Sequence, residues 1–265
     1  MSAPLCILTI AGSDSGGGAG IQADIRTIRS IGAHALTAVT AVTAQDTERI
    51  TALWPVPDAV IAAQIASALG GFPVAAAKTG LLPGASSVRT VARALARFPA
   101  IQLVVDPVVS STSGTRFLTD AGIRALRRHL LPKASLVTPN WPEAAAISGL
   151  PVRTYAHAER AALRIAAECG RPVLVKGGHS QGAVCRDCLA FPNATVAWFE
   201  NPRIETANTH GKGCVLSAAI ASWLGRGADV ASAVRLAQSF LQRALVRGRG
   251  LDWGRGRGPA FYGSR

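Results

Sequence analysis

The sequence predicts an α/β domain with a mostly parallel sheet covered by helices on both faces. Three observations carry that expectation. Short β-rich apolar runs alternate with runs of helical period along nearly the whole chain. The strand runs are apolar almost without interruption, as in strands buried on both sides. Polar and glycine-rich residues recur directly after those runs, where the strands of such a sheet end and ligands bind.

The elements follow in order. Residues 5–11 (LCILTIA) read as a buried strand that meets the turn GSDSGGGAG, and residues 21–31 have helical spacing. Residues 35–42 and 50–56 read as strands, 57–69 as a helix, and 73–80 (PVAAAKTG) as strand then turn. A helix over 84–98 precedes a strand over 101–107 that ends at Asp106-Pro107. A helix over 119–130, a strand over 135–140, a helix over 154–169 and a strand over 172–178 continue the alternation. Residues 183–206 read as one or two antiparallel strands, followed by helices over about 212–224 and 229–247. A single domain over 1–248 and an Arg/Gly-rich tail over 249–265 are predicted, since no long polar linker interrupts the chain.

Composition sets limits on function. The 265 residues are 49% hydrophobic and 16% charged, which fits a large core and excludes wholesale disorder. A net charge of +13 attracts anions such as phosphate esters, nucleotides or nucleic acid. There is no charged n-region before the first apolar run and no long apolar span, so neither a signal peptide nor a membrane helix is predicted. Five cysteines, an odd number, suit a reducing cytoplasm rather than a disulfide framework. Cys185 and Cys188 form a lone CxxC without a second ligand pair, and read as incidental thiols.

Polar residues converge at the predicted strand ends: Asp14 and its glycines, Gln45, Lys78-Thr79-Gly80, Asp106, Asn140 and Lys176-Gly177-Gly178. The glycine loop fits neither the dinucleotide fingerprint nor a P-loop. Asp106 reads as a loop acid or as a carboxylate near Mg²⁺ and a polyphosphate. Asn140, with Pro142 and Glu143, reads either as a helix cap or as part of a hydrated metal site. Lys176 reads as a solvated cation or a phosphate contact. In NTHGKGC (208–214), Gly211 and Gly213 would leave N–H groups free at a helix start. The same partial charge predicts a lowered pKa for Cys214, suiting a general base beside an anion hole.

Seven ordered motifs, TIAGSDSGGGAGIQADIRT, TAVTAQDT, KTGLL, VVDPVVSSTSG, LVTPNWPEA, VLVKGGH and NTHGKGC with LSAAIA, span residues 5–247. Together they resemble the hydroxymethylpyrimidine/phosphomethylpyrimidine kinases of thiamin biosynthesis, in the ribokinase-like superfamily. The resemblance implies a three-layer α/β/α sandwich, a homodimer, ATP with Mg²⁺, and two successive phosphorylations of 4-amino-5-hydroxymethyl-2-methylpyrimidine. It assigns Gly12, Asp24, Gln45 and Leu81 to the pyrimidine, and Lys176 and Asn140 to ATP; Lys212, where the family usually has threonine, is expected to be partly exposed and to contact phosphate when ATP is bound. It assigns Asp106 and Glu143 to the metal, and Gly211, Gly213, Cys214 and Lys176 to catalysis. Four stretches depart from the usual pattern: Gly16 stands where serine is usual, KTGLL replaces KIGML, HGKGC replaces HGTGC, and residues 254–259 read GRGRGP where a GHG-type segment is usual. Two competing expectations remain. Pyridoxal kinases share related motifs. The basic tail predicts at most weak, salt-dependent nucleic-acid binding and explains none of the seven motifs.

Overall fold

The computed structural model describes residues 4–111 and 114–260. Thr112 and Ser113 of the VVDPVVSSTSG motif, and residues 261–265 of the predicted tail, lie outside the described residues. A nine-stranded sheet runs β3-β2-β1-β4-β5-β6-β7-β8-β9. Its parallel centre is β2 (His34–Gln45), β1 (Cys6–Asp14), β4 (Val74–Thr79), β5 (Gln102–Val105), β6 (Leu136–Val137) and β7 (Val173–Val175). Antiparallel strands close both edges: β3 (Ile50–Pro55) on β2, then β8 (Val184–Ala190) and β9 (Val196–Pro202) beyond β7.

Two helical layers cover the sheet because successive strand side chains face opposite ways. In β1, Cys6, Leu8 and Ile10 enter one core and Ile7 enters the other. The first core packs under α2 (Asp58–Gly71), α3 (Ala85–Leu95), α4 (Asp120–Ala125), α5 (Trp141–Ser148) and α6 (Tyr155–Cys169). The second packs under α1 (Gly20–Ser30), α7 (Lys212–Gly225) and α8 (Val230–Gly248).

The structure departs from the sequence reading in two places, the helix after Thr119 and helix α5. The helix expected over 119–130 is α-helical only to Ala125, then widens into a π-helical turn (Leu126–Leu130) and tightens into a 3-10 turn (Leu131–Lys133). Pro132 lacks the N–H that a continuing helix needs. Helix α5 was visible in the sequence only as a possible cap. Residues 249–260, the described part of the Arg/Gly-rich tail, lie against the domain. There the Arg257 N–H donates to Thr47 O at 2.9 Å, and the Asn208 side chain donates to Gly248 O and Leu251 O at 2.7 and 2.8 Å.

Thr79, at the end of β4, is wholly buried, and its hydroxyl has no hydrogen-bond partner among the described residues. An unpaired buried hydroxyl destabilises a fold by about 1–3 kcal/mol. Thr79→Val, nearly the same shape, is therefore expected to raise the urea midpoint by about 1 kcal/mol equivalent with an unchanged m-value. An unaltered or lower midpoint would mean that the hydroxyl has a partner.

Candidate active site

Three polar clusters form where the parallel strands end against the first turns of α1 and α7. The innermost is an ion pair. Lys78 Nζ, from β4, donates to both oxygens of Asp24, in α1, at 3.1 and 2.9 Å, and Thr9 Oγ1 adds a bond of 2.6 Å. Both charged side chains are fully buried. Burial opposes the Lys78 charge, but Asp24 beside it, with Cys214 and Asp106 further out, holds the ammonium above its usual range. Asp24, which the resemblance places at the pyrimidine, has its carboxylate engaged by Lys78 and Thr9 and no exposed surface.

The second cluster joins β5, β6, β7 and α7. Lys176 Nζ donates to Asp106 Oδ1 at 2.8 Å and lies 4.0 Å from Glu143. Ser217 Oγ donates to Asp106 Oδ2 at 3.2 Å. Burial works against the Asp106 charge, but Lys176 and Lys78 overcome it and lower its pKa. Burial, aided by the Asp106 charge and only partly offset by Lys176, pushes the Glu143 carboxyl up to about 7. Asn140 caps α5: its Oδ1 accepts from Glu143 N at 2.9 Å, while Glu143 returns a bond from Asn140 N at 2.8 Å. Of the two readings of Asn140 and Glu143, the cap is present, and it aims Glu143 at Lys176. A Cβ on Gly213 would lie 3.6 Å from Lys176 Nζ and 3.7 Å from Asp106 Oδ2. The open space beside this pair therefore exists because residue 213 has no side chain.

The third cluster lies at the mouth. His210 Nε2 is 3.0 Å from Asp14 Oδ2 and 3.1 Å from the Gln45 side-chain amide. Asp14 Oδ1 also accepts from Gly16 N, and Oδ2 from Ala19 N, so Asp14 shapes the glycine loop. Although burial resists ionisation, His210 and those two N–H groups hold the Asp14 carboxyl below its usual range. The glycine loop meets the start of α7 with no room to spare. Gly211 has φ 73°, and a Cβ there would fall 1.9 Å from Gly18 O. A Cβ on Gly12 would touch Leu81 at 3.5 Å, so these two residues border one space.

Cys214 lies half-buried in the first turn of α7. The lowered pKa expected from the helix terminus is overturned: burial pushes the thiol up to about 11, against the pull of Lys78. Lys212 opens α7 beside Gly178, whose Cβ would sit 3.2 Å from its ammonium. Burial lowers the Lys212 pKa, with Arg203, Lys176 and Arg257 adding to the shift. Among the described residues no carboxylate lies within 4.0 Å of Lys212.

Sequence reasoning passed over four residues of these clusters. Lys78 and His210 stood inside quoted motifs without a role. Asp187, inside the dismissed CxxC, accepts from Gly177 N at 2.7 Å and pins the turn after Lys176. Ser217 likewise stood inside the quoted LSAAIA stretch without a role. All five cysteines are free, and no group of three metal-ligating side chains forms among the described residues.

Residues 14–261 match the phosphomethylpyrimidine kinase family. The chain belongs to that family. A hydroxymethylpyrimidine/phosphomethylpyrimidine kinase of Streptomyces coelicolor is 40% identical over 260 residues, 98% of this chain and 95% of that protein. Among solved structures, a Bacillus subtilis pyridoxal kinase in an ADP complex superposes with a TM-score of 0.90 at 32% identity, covering 98% of this chain and 97% of that one. A Clostridium difficile phosphomethylpyrimidine kinase superposes with a TM-score of 0.79 at 34% identity, covering 91% and 99%. This phosphomethylpyrimidine kinase homologue thus has the three-layer ribokinase-like fold implied by its motifs. No helix among its described residues is long and apolar enough to cross a membrane.

Proposed function

We propose that the enzyme transfers the γ-phosphoryl group of ATP to the hydroxyl of 4-amino-5-hydroxymethyl-2-methylpyrimidine, and then a second phosphoryl group to the monophosphate. The observation that carries this reading is the family match over residues 14–261, which takes in the charged side chains of all three polar clusters. The aminopyrimidine ring lies between Gly12, Leu81 and the Gln45 carboxamide. Cys214 takes the hydroxyl proton as the oxygen attacks the γ-phosphorus, and the bond from that phosphorus to the bridging oxygen of ADP breaks. The N–H groups of the Gly211–Cys214 turn face the developing negative charge, where a helix start has donors without intrahelical partners. Lys176 and Lys212 meet phosphate oxygens. Asp24 and Lys78 hold the floor beneath Cys214 rather than the ring.

Asp106 and Glu143 suit Mg²⁺, which takes one or two carboxylates and keeps several waters. Glu143 is near half-protonated at neutral pH, with its pKa at about 7, so an added cation would favour its ionised form. Bound there with ATP, the metal would neutralise phosphate charge. A homodimer belongs to the same reading and is checked by sedimentation. A cytoplasmic setting agrees with five free thiols.

The deciding experiment is ADP release with hydroxymethylpyrimidine, its monophosphate and pyridoxal. Turnover of both pyrimidines is expected. The TM-score of 0.90 to a pyridoxal kinase favours pyridoxal as a second substrate, and turnover of pyridoxal alone would replace the proposal.

Two variants probe the assignments. Gln45→Ala leaves ring polar groups unpaired, so pyrimidine kcat/KM should fall about 10–150-fold with ATP binding intact. An unchanged value would remove Gln45 from the ring site. Lys212→Thr should weaken ATP or the monophosphate by about 3–30-fold, and the loss should shrink in high salt. Equal KM values at low and high ionic strength would make Lys212 a bystander, and a higher kcat would mean that the lysine retards product release.

A further inference from the structure

We infer that His210 is a positioning residue: its Nε2 proton, held by Asp14, fixes which way the Gln45 carboxamide faces and thereby which way round the substrate ring binds. The inference rests on the assignment of Gln45 to the ring.

An imidazole nitrogen carries either a proton or a lone pair, never both uses at once. His210 Nε2 lies 3.0 Å from a carboxylate oxygen that can only accept, so Nε2 is protonated and donates to Asp14. A protonated Nε2 cannot accept from a second donor. As placed, Gln45 Nε2 faces His210 Nε2 at 3.1 Å, which would set two donors against each other, so the carboxamide is turned over and its oxygen takes the other half of a three-centre bond. The nitrogen and oxygen of a carboxamide are distinguished by such partners rather than by shape.

A second observation requires the same orientation. The atom placed as Gln45 Oε1 is 3.5 Å from Thr43 Oγ1. That hydroxyl already donates its proton to Ser13 O at 3.1 Å, so it can only accept from Gln45. The group facing Thr43 is then the NH₂. His210 and Thr43 demand one orientation from opposite sides.

The surroundings leave little freedom to change it. Ser15 Oγ accepts from Gln45 N at 2.8 Å and donates to Gln45 O at 3.0 Å, which holds the backbone. The imidazole is wedged against the glycine loop, for a Cβ on Gly18 would fall 2.3 Å from its Cδ2. The backbone N–H of His210 donates to Gly258 O at 3.0 Å, tying the same residue to the folded-back C-terminal segment.

The consequence for the substrate is chemical. The aminopyrimidine edge carries an NH₂ donor beside a ring-nitrogen acceptor, and the hydroxymethyl group is next to the NH₂. A carboxamide pairs with that edge in one sense only. If the carboxamide turned over, the ring would have to turn with it, and the hydroxymethyl group would move a ring's width away from Cys214. Orientation therefore governs kcat as well as affinity.

The test has two parts. Long-range proton–nitrogen NMR of the wild-type enzyme should find a proton on His210 Nε2; an unprotonated Nε2 overturns the inference. In kinetics, the substrate is compared with the analogue lacking the 4-amino group. His210→Leu should cut the preference for the amino compound about 10–100-fold, mainly in kcat, while KM for ATP stays put. His210→Gln, which restores an N–H donor, should keep most of the preference. Equal losses in the two variants would mean that the ring only packs the loop, and would overturn the inference. Loss of pyrimidine use in Gln45→Ala with an intact preference in His210→Leu overturns it alone; no loss in Gln45→Ala overturns both it and the ring assignment.

Discussion

Cys214→Ala should keep the fold and bind ATP, yet lose about 10²–10⁴ in kcat, the range for a positioned general base. The pH dependence gives a sharper signature. Burial holds the thiol protonated up to about 11, so the basic form is scarce at neutral pH and grows with alkali. Wild-type kcat/KM should rise about tenfold per pH unit from 7 towards 10, and the alanine variant should be flat over the same range. The loose transition state of phosphoryl transfer asks little of the base, which is how a mostly protonated thiol suffices. Normal turnover in the variant would reduce Cys214 to a packing residue. The same shift works against stability in alkali. The folded state keeps this proton where the unfolded chain, titrating near the ordinary 9.0, has released it. That contribution is complete below about pH 9 and is lost as pH rises towards 11.

Lys78→Met should be the most destabilising single change. It leaves the Asp24 carboxylate fully buried with Thr9 in place of an ammonium, and removing one partner of a buried pair costs about 3–5 kcal/mol. Asp24 then has a pKa raised further by burial, so its protonated form survives in the folded state. A group raised in this way stabilises most below its unfolded pKa, and the loss grows as pH rises above about 4. The double variant Lys78→Met, Asp24→Asn should recover much of the stability, because no charge is left stranded. Urea unfolding of the single and double variants at acid and neutral pH decides it. A double variant as unstable as the single one would mean that lost packing, not the stranded charge, is responsible.

Much of the fold was legible from period and apolarity. Strand β1 was readable because both its faces are buried and its apolar run is unbroken. The start of α7 was readable because two glycines precede a long apolar run, and the helix begins at Lys212 as expected. The widening at Leu126–Leu130 was not readable, because a π turn keeps the composition of the helix it interrupts. The end of α5 was missed because the helix is only eight residues long, too short for a period to stand out.

The site divides along the same line. Motif order along the chain carried the family, the strand-end positions of Gln45, Asp106 and Lys176, and the turn that presents Cys214. Those are local facts, since each depends on a few neighbours in sequence. Which groups pair with which is a matter of contacts 54 residues apart for Lys78 and Asp24, and 196 apart for His210 and Asp14. Those pairings make Asp24 the buried counter-ion of Lys78, and bring His210 to Gln45. They also set the thiol: a helix start alone lowers a cysteine's pKa, whereas the packing around Cys214 removes water and raises it. Desolvation depends on what covers a residue, and that covering comes from segments distant in the chain.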